Sequence, residues 1–149
     1  MSRFEIKNWC PGALRPMLSG DGLVVRIRPH GSALSPAQAA GIANAATKHG
    51  NGLIDLTSRA NLQLRGVDPS CHDELLADLA TLVLIDRDVA AETRRNIIVT
   101  PLRCARHGPE TIELAAALEE VLDHAPDLPS KFGFAIDTGE ARVLAEVSA

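Results

Sequence analysis

Leu53-Ile54-Asp55-Leu56-Thr57-Ser58-Arg59-Ala60-Asn61-Leu62-Gln63-Leu64-Arg65-Gly66 is the stretch that decides the fold. Apolar and polar residues alternate through it, the period of a β-strand with one buried face. Ile54, Leu56, Ala60, Leu62 and Leu64 fall on one side; Asp55, Thr57, Arg59, Asn61, Gln63 and Arg65 fall on the other. The run is one bent strand or two strands broken near Ser58-Arg59-Ala60. Two readings fit the polar side. It is the wet outer face of an ordinary antiparallel sheet, or it lines a site for a large anion. Arg59, Asn61, Gln63 and Arg65 are hydrogen-bond donors with net positive charge, and arginine's planar fork captures carboxylate or phosphate through paired bonds.

Working outward, Leu23-Val24-Val25-Arg26-Ile27-Arg28 reads as a preceding strand, stopped by Pro29 and Gly31. Ser35-Pro36-Ala37-Gln38 opens a helix: Ser35 is a good N-cap, Pro36 suits the first helical position, and Gln38 closes a capping box. That helix runs to His49, where Gly50 and Gly52 end it. A second helix spans Pro69 to Leu84, with Leu75, Leu76, Leu79 and Leu82 on one apolar face. Residues 1–20 read as an irregular lead-in.

The order strand, helix, strand or strand pair, helix gives an α+β sandwich of ferredoxin-like type. We place a ferredoxin-like half-domain in residues 1–85 and the start of a second α+β domain in 86–149, at the composition change Asp86-Arg87-Asp88. In the second part, residues 96–100 form a short buried strand. Glu110 to His124 is a helix with Ile112, Leu114, Leu118, Val121 and Leu122 inward. Lys131 to Asp137 is a strand, and Arg142 to Val147 another that leaves an unpaired edge.

The chain has 149 residues, 46% hydrophobic and 23% charged, with formal net charge −4. That balance speaks against a general nucleic-acid binder, so a basic site must be a local patch on an acidic body. No apolar run approaches the roughly 20 residues that cross a bilayer, and no membrane partner is expected. Cys10, Cys71 and Cys104 are odd in number and widely spaced, which fits free thiols in a reducing cytoplasm. They offer no close pair for a metal and cannot alone hold a four-cysteine iron–sulfur cluster.

Three segments in order carry a resemblance: Leu56-Thr57-Ser58-Arg59 through Gln63, Arg94-Arg95-Asn96-Ile97-Ile98, and Leu128-Pro129-Ser130-Lys131-Phe132. Together they resemble the L-T-x-R-x-x-x-Q, R-N and L-P-x-K-F segments of the nitrite and sulfite reductase superfamily. Cys10-Pro11-Gly12 and Gly20-Asp21-Gly22-Leu23-Val24-Val25-Arg26 look like the start of its precorrin-3B synthase branch.

The resemblance implies the N-terminal part of an oxygenase that acts on a precorrin tetrapyrrole in cobalamin biosynthesis. The isolated chain would then be inactive. It places the family's tetrapyrrole-contacting basic residues at Arg59, Arg95 and Lys131; with the polar strand face and the R-N segment, the candidate tetrapyrrole-binding set is Arg59, Asn61, Gln63, Arg65, Arg95, Asn96 and Lys131, with catalytic residues unassigned. It implies no cofactor within this chain; the full-length family carries a 4Fe–4S cluster, joined by sirohaem in the reductase branch. The implied partners are an anionic tetrapyrrole and either the missing C-terminal half or a second copy of the chain. The alternatives are a fragment of a sirohaem nitrite or sulfite reductase and a non-catalytic tetrapyrrole-binding module. Sulfite reductases carry a second basic residue two positions after the lysine of the third segment; here Gly133 stands there. That departure favours a tetrapyrrole as substrate over reduction of a small anion.

Overall fold

The computed structural model describes residues 10–101, 108–129, 131–138 and 141–145. It is α+β. Strands β1 (Met17–Ser19), β2 (Gly22–Ile27), β3 (Ile54–Leu56) and β4 (Leu62–Val67) form one antiparallel sheet in the order β1-β2-β4-β3. Helices α1 (Pro36–His49) and α2 (His72–Thr81) cover it. Val25, Ile27, Leu64 and Val67 from the sheet pack against Ile42, Ala45 and Ala46 of α1 and Leu75 and Leu79 of α2. This core accounts for the alternation at Ile54, Leu62 and Leu64, since a strand sends successive side chains to opposite faces and only one face meets the helices; Leu56, 82% exposed, and Ala60 are not buried as the alternation predicts, and Asn61 is buried instead.

The long alternating run is two strands, not one. Leu56 faces Leu62 and Asp55 faces Gln63, so the chain reverses over residues 57–61. Ala60 N–H donates to the Thr57 carbonyl at 3.1 Å and Thr57 N–H to the Asn61 carbonyl at 2.9 Å. The Thr57 hydroxyl oxygen accepts from the Arg59 and Asn61 amides. Ala60 closes the turn at φ 54°, the left-handed position that a three-residue hairpin loop requires. An L-residue there costs about 1–2 kcal/mol. Ala60→Gly relieves that strain but makes the unfolded chain freer, by about 0.4–1 kcal/mol. Relief of strain outweighs the added freedom, so the variant is expected to melt ~2 °C higher. A lower melting temperature would show that the turn favours alanine.

The start of α1 is as the sequence predicts. The Ser35 hydroxyl accepts from Gln38 N–H, Gln38 Oε1 accepts from Ser35 N–H, and Pro36 holds the first helical position. Gln38 also donates to the Leu82 carbonyl at 3.0 Å, tying α1 to the end of α2. Helix α2 is shorter than its apolar pattern. A 3₁₀ turn at Pro69–Cys71 precedes it, and Val83 at φ 56° follows its end.

Four expectations are corrected. The lead-in is not wholly irregular: Met17–Ser19 is a strand hairpinned onto β2 through Gly22. Gly22 sits at φ 130°, and a side chain there would meet the Gly66 backbone at 2.8 Å, so only glycine fits. A short helix α3 (Val89–Arg94), capped by the Asp88 carboxylate, stands where the sequence pattern signals none. The helix expected over Glu110–His124 is α4 (Gly108–Asp123), and its buried side is Gly108, Thr111, Ala115 and Leu122. Ile112, Leu114 and Val121 point outward, at 56%, 46% and 66% exposure. An apolar count cannot tell which of two apolar sides faces the core. Finally, residues 142–145 of the proposed terminal strand are not a strand. Leu144 N–H instead donates to Asp137 Oδ2 and its side chain is buried. Residues 146–149, and Cys104 in its loop, lie outside the described residues.

Strands β5 (Ile97–Val99) and β6 (Phe134–Ile136) pair in parallel, joined by a connection that contains α4. Ile97, Val99, Ala115 and Leu122 form their core with Phe134 and Ile136. The seam with the four-stranded sheet is charged. Arg28 lies 3.8 Å from Glu92, and Arg95 binds Asp86 through two contacts of 2.8 Å. His30 sits 2.6 Å from Glu119, which also accepts from Gly31 N–H. Although burial opposes it, these two hydrogen bonds hold the Glu119 carboxyl below its ordinary value. Among the described residues no helix is long and apolar enough to cross a membrane.

Candidate functional site

Sheet register sets the polar face. Arg26 of β2 stands opposite Gln63 of β4, which stands opposite Asp55 of β3. Gln63 Oε1 accepts from Arg26 Nη2 at 2.9 Å. Arg26 Nε is buried without a partner among the described residues. Gln63 therefore acts as a brace: it fixes the Arg26 fork and leaves the rest of it unspent.

A cavity of about 360 Å³ opens beside this brace, lined by Cys10, Arg26, Thr57, Ser58, Arg59 and Lys131. Its cations come from three separate segments: β2, the 57–61 turn and the stretch before β6. Among the described residues that line it there is no carboxylate. The side chains of Arg59 and Lys131 make no hydrogen bond or ion pair among the described residues. Cations gathered without counter-charges repel one another, an arrangement that favours a polyanion. The whole chain, these cations included, has a net charge of −4, so its acidic excess lies elsewhere.

Lys131 is placed by the second segment. Asn96, buried, donates from Nδ2 to the Phe132 carbonyl at 3.2 Å, and its own carbonyl accepts from Phe134 N–H at 2.9 Å. Phe132 and Phe134 stack edge to face with ring centroids 5.2 Å apart. The R-N and L-P-x-K-F segments thus form one physical unit: the asparagine orients the loop that carries the lysine.

The other residues singled out in the sequence lie elsewhere. Arg65 reaches the opposite end of the sheet, where Ser19, Asp21 and Asp55 take its guanidinium at 3.3, 3.4 and 3.9 Å. Asn61 is buried beneath the hairpin turn. Arg95 is 7% exposed and belongs to the seam, bonded to Asp86 and to the Arg28 carbonyl at 2.8 Å. Burial alone would lower its pKa, but the Asp86 hydrogen bonds and charge hold it above the ordinary arginine value. Of the seven, the structure brings Arg59 and Lys131 to the cavity, with Gln63 and Asn96 behind them. The residue that the sequence reading missed is Arg26. Its signal was present: Arg26 and Arg28 alternate with Val25 and Ile27, as Gln63 and Arg65 do with Leu64.

Among the described residues no group of three or more His, Cys, Asp or Glu side chains is placed to hold a metal ion.

Comparison with known proteins speaks to the family and the fold. Residues 15–82 match the nitrite/sulfite reductase ferredoxin-like half domain, the span from the hairpin before β2 to the end of α2. That stretch of the chain belongs to the nitrite and sulfite reductase superfamily. More particularly, the chain is a homologue of the precorrin-3B synthase of Sinorhizobium sp: 36% of residues are identical over 137, covering 87% of this chain. The match covers 28% of that relative's length.

Proposed function

We propose that this chain supplies the tetrapyrrole-gripping face of a precorrin-3B synthase-like oxygenase in cobalamin biosynthesis. The observation that carries the proposal is the convergence of Arg26, Arg59 and Lys131 on one cavity without a lining carboxylate. A precorrin carries carboxylates around its rim, and separate cations can each take one through a charge-assisted hydrogen bond. In this reading Arg59 and Lys131 bind, Arg26 binds while braced by Gln63, and Asn96 sets the height of Lys131. Residues 1–85 form the half-domain and 86–149 the opening part of the tetrapyrrole-binding domain, in a cytoplasmic protein. The redox chemistry is supplied by a cluster held outside the described residues. Gly133 leaves Lys131 as the lone cation of its segment, which supports the tetrapyrrole as substrate and not as a carrier for anion reduction.

The test is a fluorescence titration of the chain with uroporphyrin, which has eight carboxylates, beside mesoporphyrin, which has two. Uroporphyrin is expected to bind more tightly, and its affinity to fall steeply as salt screens the cations over about 10 Å at 0.1 M. Equal affinities with no salt dependence would show an apolar surface picking up a flat ring.

A further inference from the structure

We propose that Glu92 is the positioning residue of the cationic cavity: it clasps the Cys10-Pro11-Gly12-Ala13 turn and so fixes that turn as the cavity's wall. The binding half of this inference rests on the tetrapyrrole reading above; the clasp itself does not. Cys10-Pro11-Gly12 has no charge to give an anion, yet it stands at a junction. Cys10 lines the large cavity with Arg26, Arg59 and Lys131. It also lines a smaller one of about 50 Å³ with Gly12, Arg15, Arg28, Glu92 and Thr93. Whatever holds this turn sets the partition between the two spaces.

Glu92 lies on α3, 79 residues further along the chain, and is 3% exposed. Its Oε1 accepts from Ala13 N–H, and Arg28 stands 3.8 Å away. Gly12 makes the approach possible. A Cβ on residue 12 would lie 2.1 Å from Glu92 Oε2 and 2.5 Å from its carboxyl carbon, so with any larger residue the turn and the carboxylate must move apart. The turn is registered against β2 as well, since the Gly12 carbonyl accepts from Arg26 N–H at 3.1 Å. His72 Nε2 meets the Ala13 carbonyl at 2.9 Å.

Charged groups that face Glu92 include Arg28 just after β2, Asp86 before α3 and Arg95 after it, and Arg15 lines the small cavity with it. Burial pushes the Glu92 carboxyl up, against the pull of the Ala13 hydrogen bond and the Arg28 charge. A buried carboxylate persists only where such partners compensate it. Removing it leaves the buried Ala13 N–H without an acceptor and frees the turn that carries Cys10.

The experiment reads Cys10 directly in the full chain. The protein is reacted with an excess of an aromatic disulfide reagent, and Cys10 and Cys71 are followed separately by peptide mass spectrometry. Cys71, also a half-buried free thiol but at the start of α2, reports general loosening. In Glu92→Ala, Cys10 is expected to react about tenfold faster and Cys71 at its parent rate, the change that loss of one charged hydrogen bond implies. Glu92→Gln keeps an oxygen for Ala13 N–H and is expected to stay within about twofold of the parent. Gly12→Ala, which leaves Glu92 in place, is expected to repeat the Glu92→Ala pattern and serves if that variant does not fold. Parallel rises at Cys10 and Cys71, or an unchanged Cys10, would overturn the clasp. Uroporphyrin affinity measured on the same variants is expected to fall in Glu92→Ala and hold in Glu92→Gln. Absence of uroporphyrin binding by the parent overturns the binding role alone, because the thiol pattern needs no ligand.

Discussion

Replacing Arg95 by methionine is expected to destabilise the chain by about 3–5 kcal/mol, the usual result of removing one member of a buried ion pair. The loss does not come from the missing attraction alone. Asp86, 9% exposed in its side chain, bonds Arg95 through both oxygens. Without the guanidinium, Asp86 keeps a buried charge, and the Arg28 carbonyl loses its 2.8 Å donor. Single domains have about 5–15 kcal/mol in all, so the variant should show a large drop in its urea midpoint. The double variant Arg95→Met/Asp86→Leu removes both charges and is expected to recover part of the loss, which a double-mutant cycle would measure. A loss below about 1 kcal/mol would mean that Arg95 is held loosely and is free to turn toward a ligand, returning it to the binding set implied by its segment.

That buried pair marks the boundary of what the sequence could tell. Elements set by neighbours in the chain were legible. The Ser35 cap, the Gln38 box and the 53–65 alternation are each local, and local signals survive folding. Where two local solutions existed, one bent strand or a hairpin, the sequence left both open; the Thr57 hydroxyl and Ala60 at positive φ decided between them. The seam was not legible. Arg95 finds Asp86 nine residues back and the Arg28 carbonyl 67 residues back, and no periodicity encodes such a meeting. The face of α4 was not legible either, because Ile112, Leu114 and Val121 are as apolar as the side that is buried.

The candidate site was legible in part for the same reason. A polar strand face shows which side chains share a surface but not which are already taken. Arg59 and Arg65 look equivalent in the sequence. In the fold, Asp21 and Asp55 claim Arg65, while the side chain of Arg59, at the tip of the turn, makes no hydrogen bond or ion pair among the described residues. Asn96 and Lys131 read in the sequence as two ligand residues, yet the asparagine spends its amide on the Phe132 carbonyl and acts through the lysine's loop.

The binding energy should follow that division. Arg59→Ala/Lys131→Ala is expected to weaken uroporphyrin binding by about 10²–10⁴-fold: each charge-assisted hydrogen bond contributes about 1.5–3 kcal/mol, and about 1.4 kcal/mol is tenfold in affinity. The two residues come from different segments but line one cavity and would share one ligand, so their losses need not add, and the two single variants beside the double one measure the coupling. Arg65→Ala also removes one positive charge, but from a site that Asp21 and Asp55 already neutralise, and is expected to change affinity by less than about threefold. The contrast separates a built site from diffuse attraction. A general positive field would lose a similar amount from any arginine, with losses tracking net charge. If Arg65→Ala weakened binding as much as Arg59→Ala, the cavity would have no special standing and the whole strand face would be the surface that the ligand meets. If the double variant bound uroporphyrin like the parent, the convergence of Arg59 and Lys131 would serve some other anion, and the tetrapyrrole reading would fall with it.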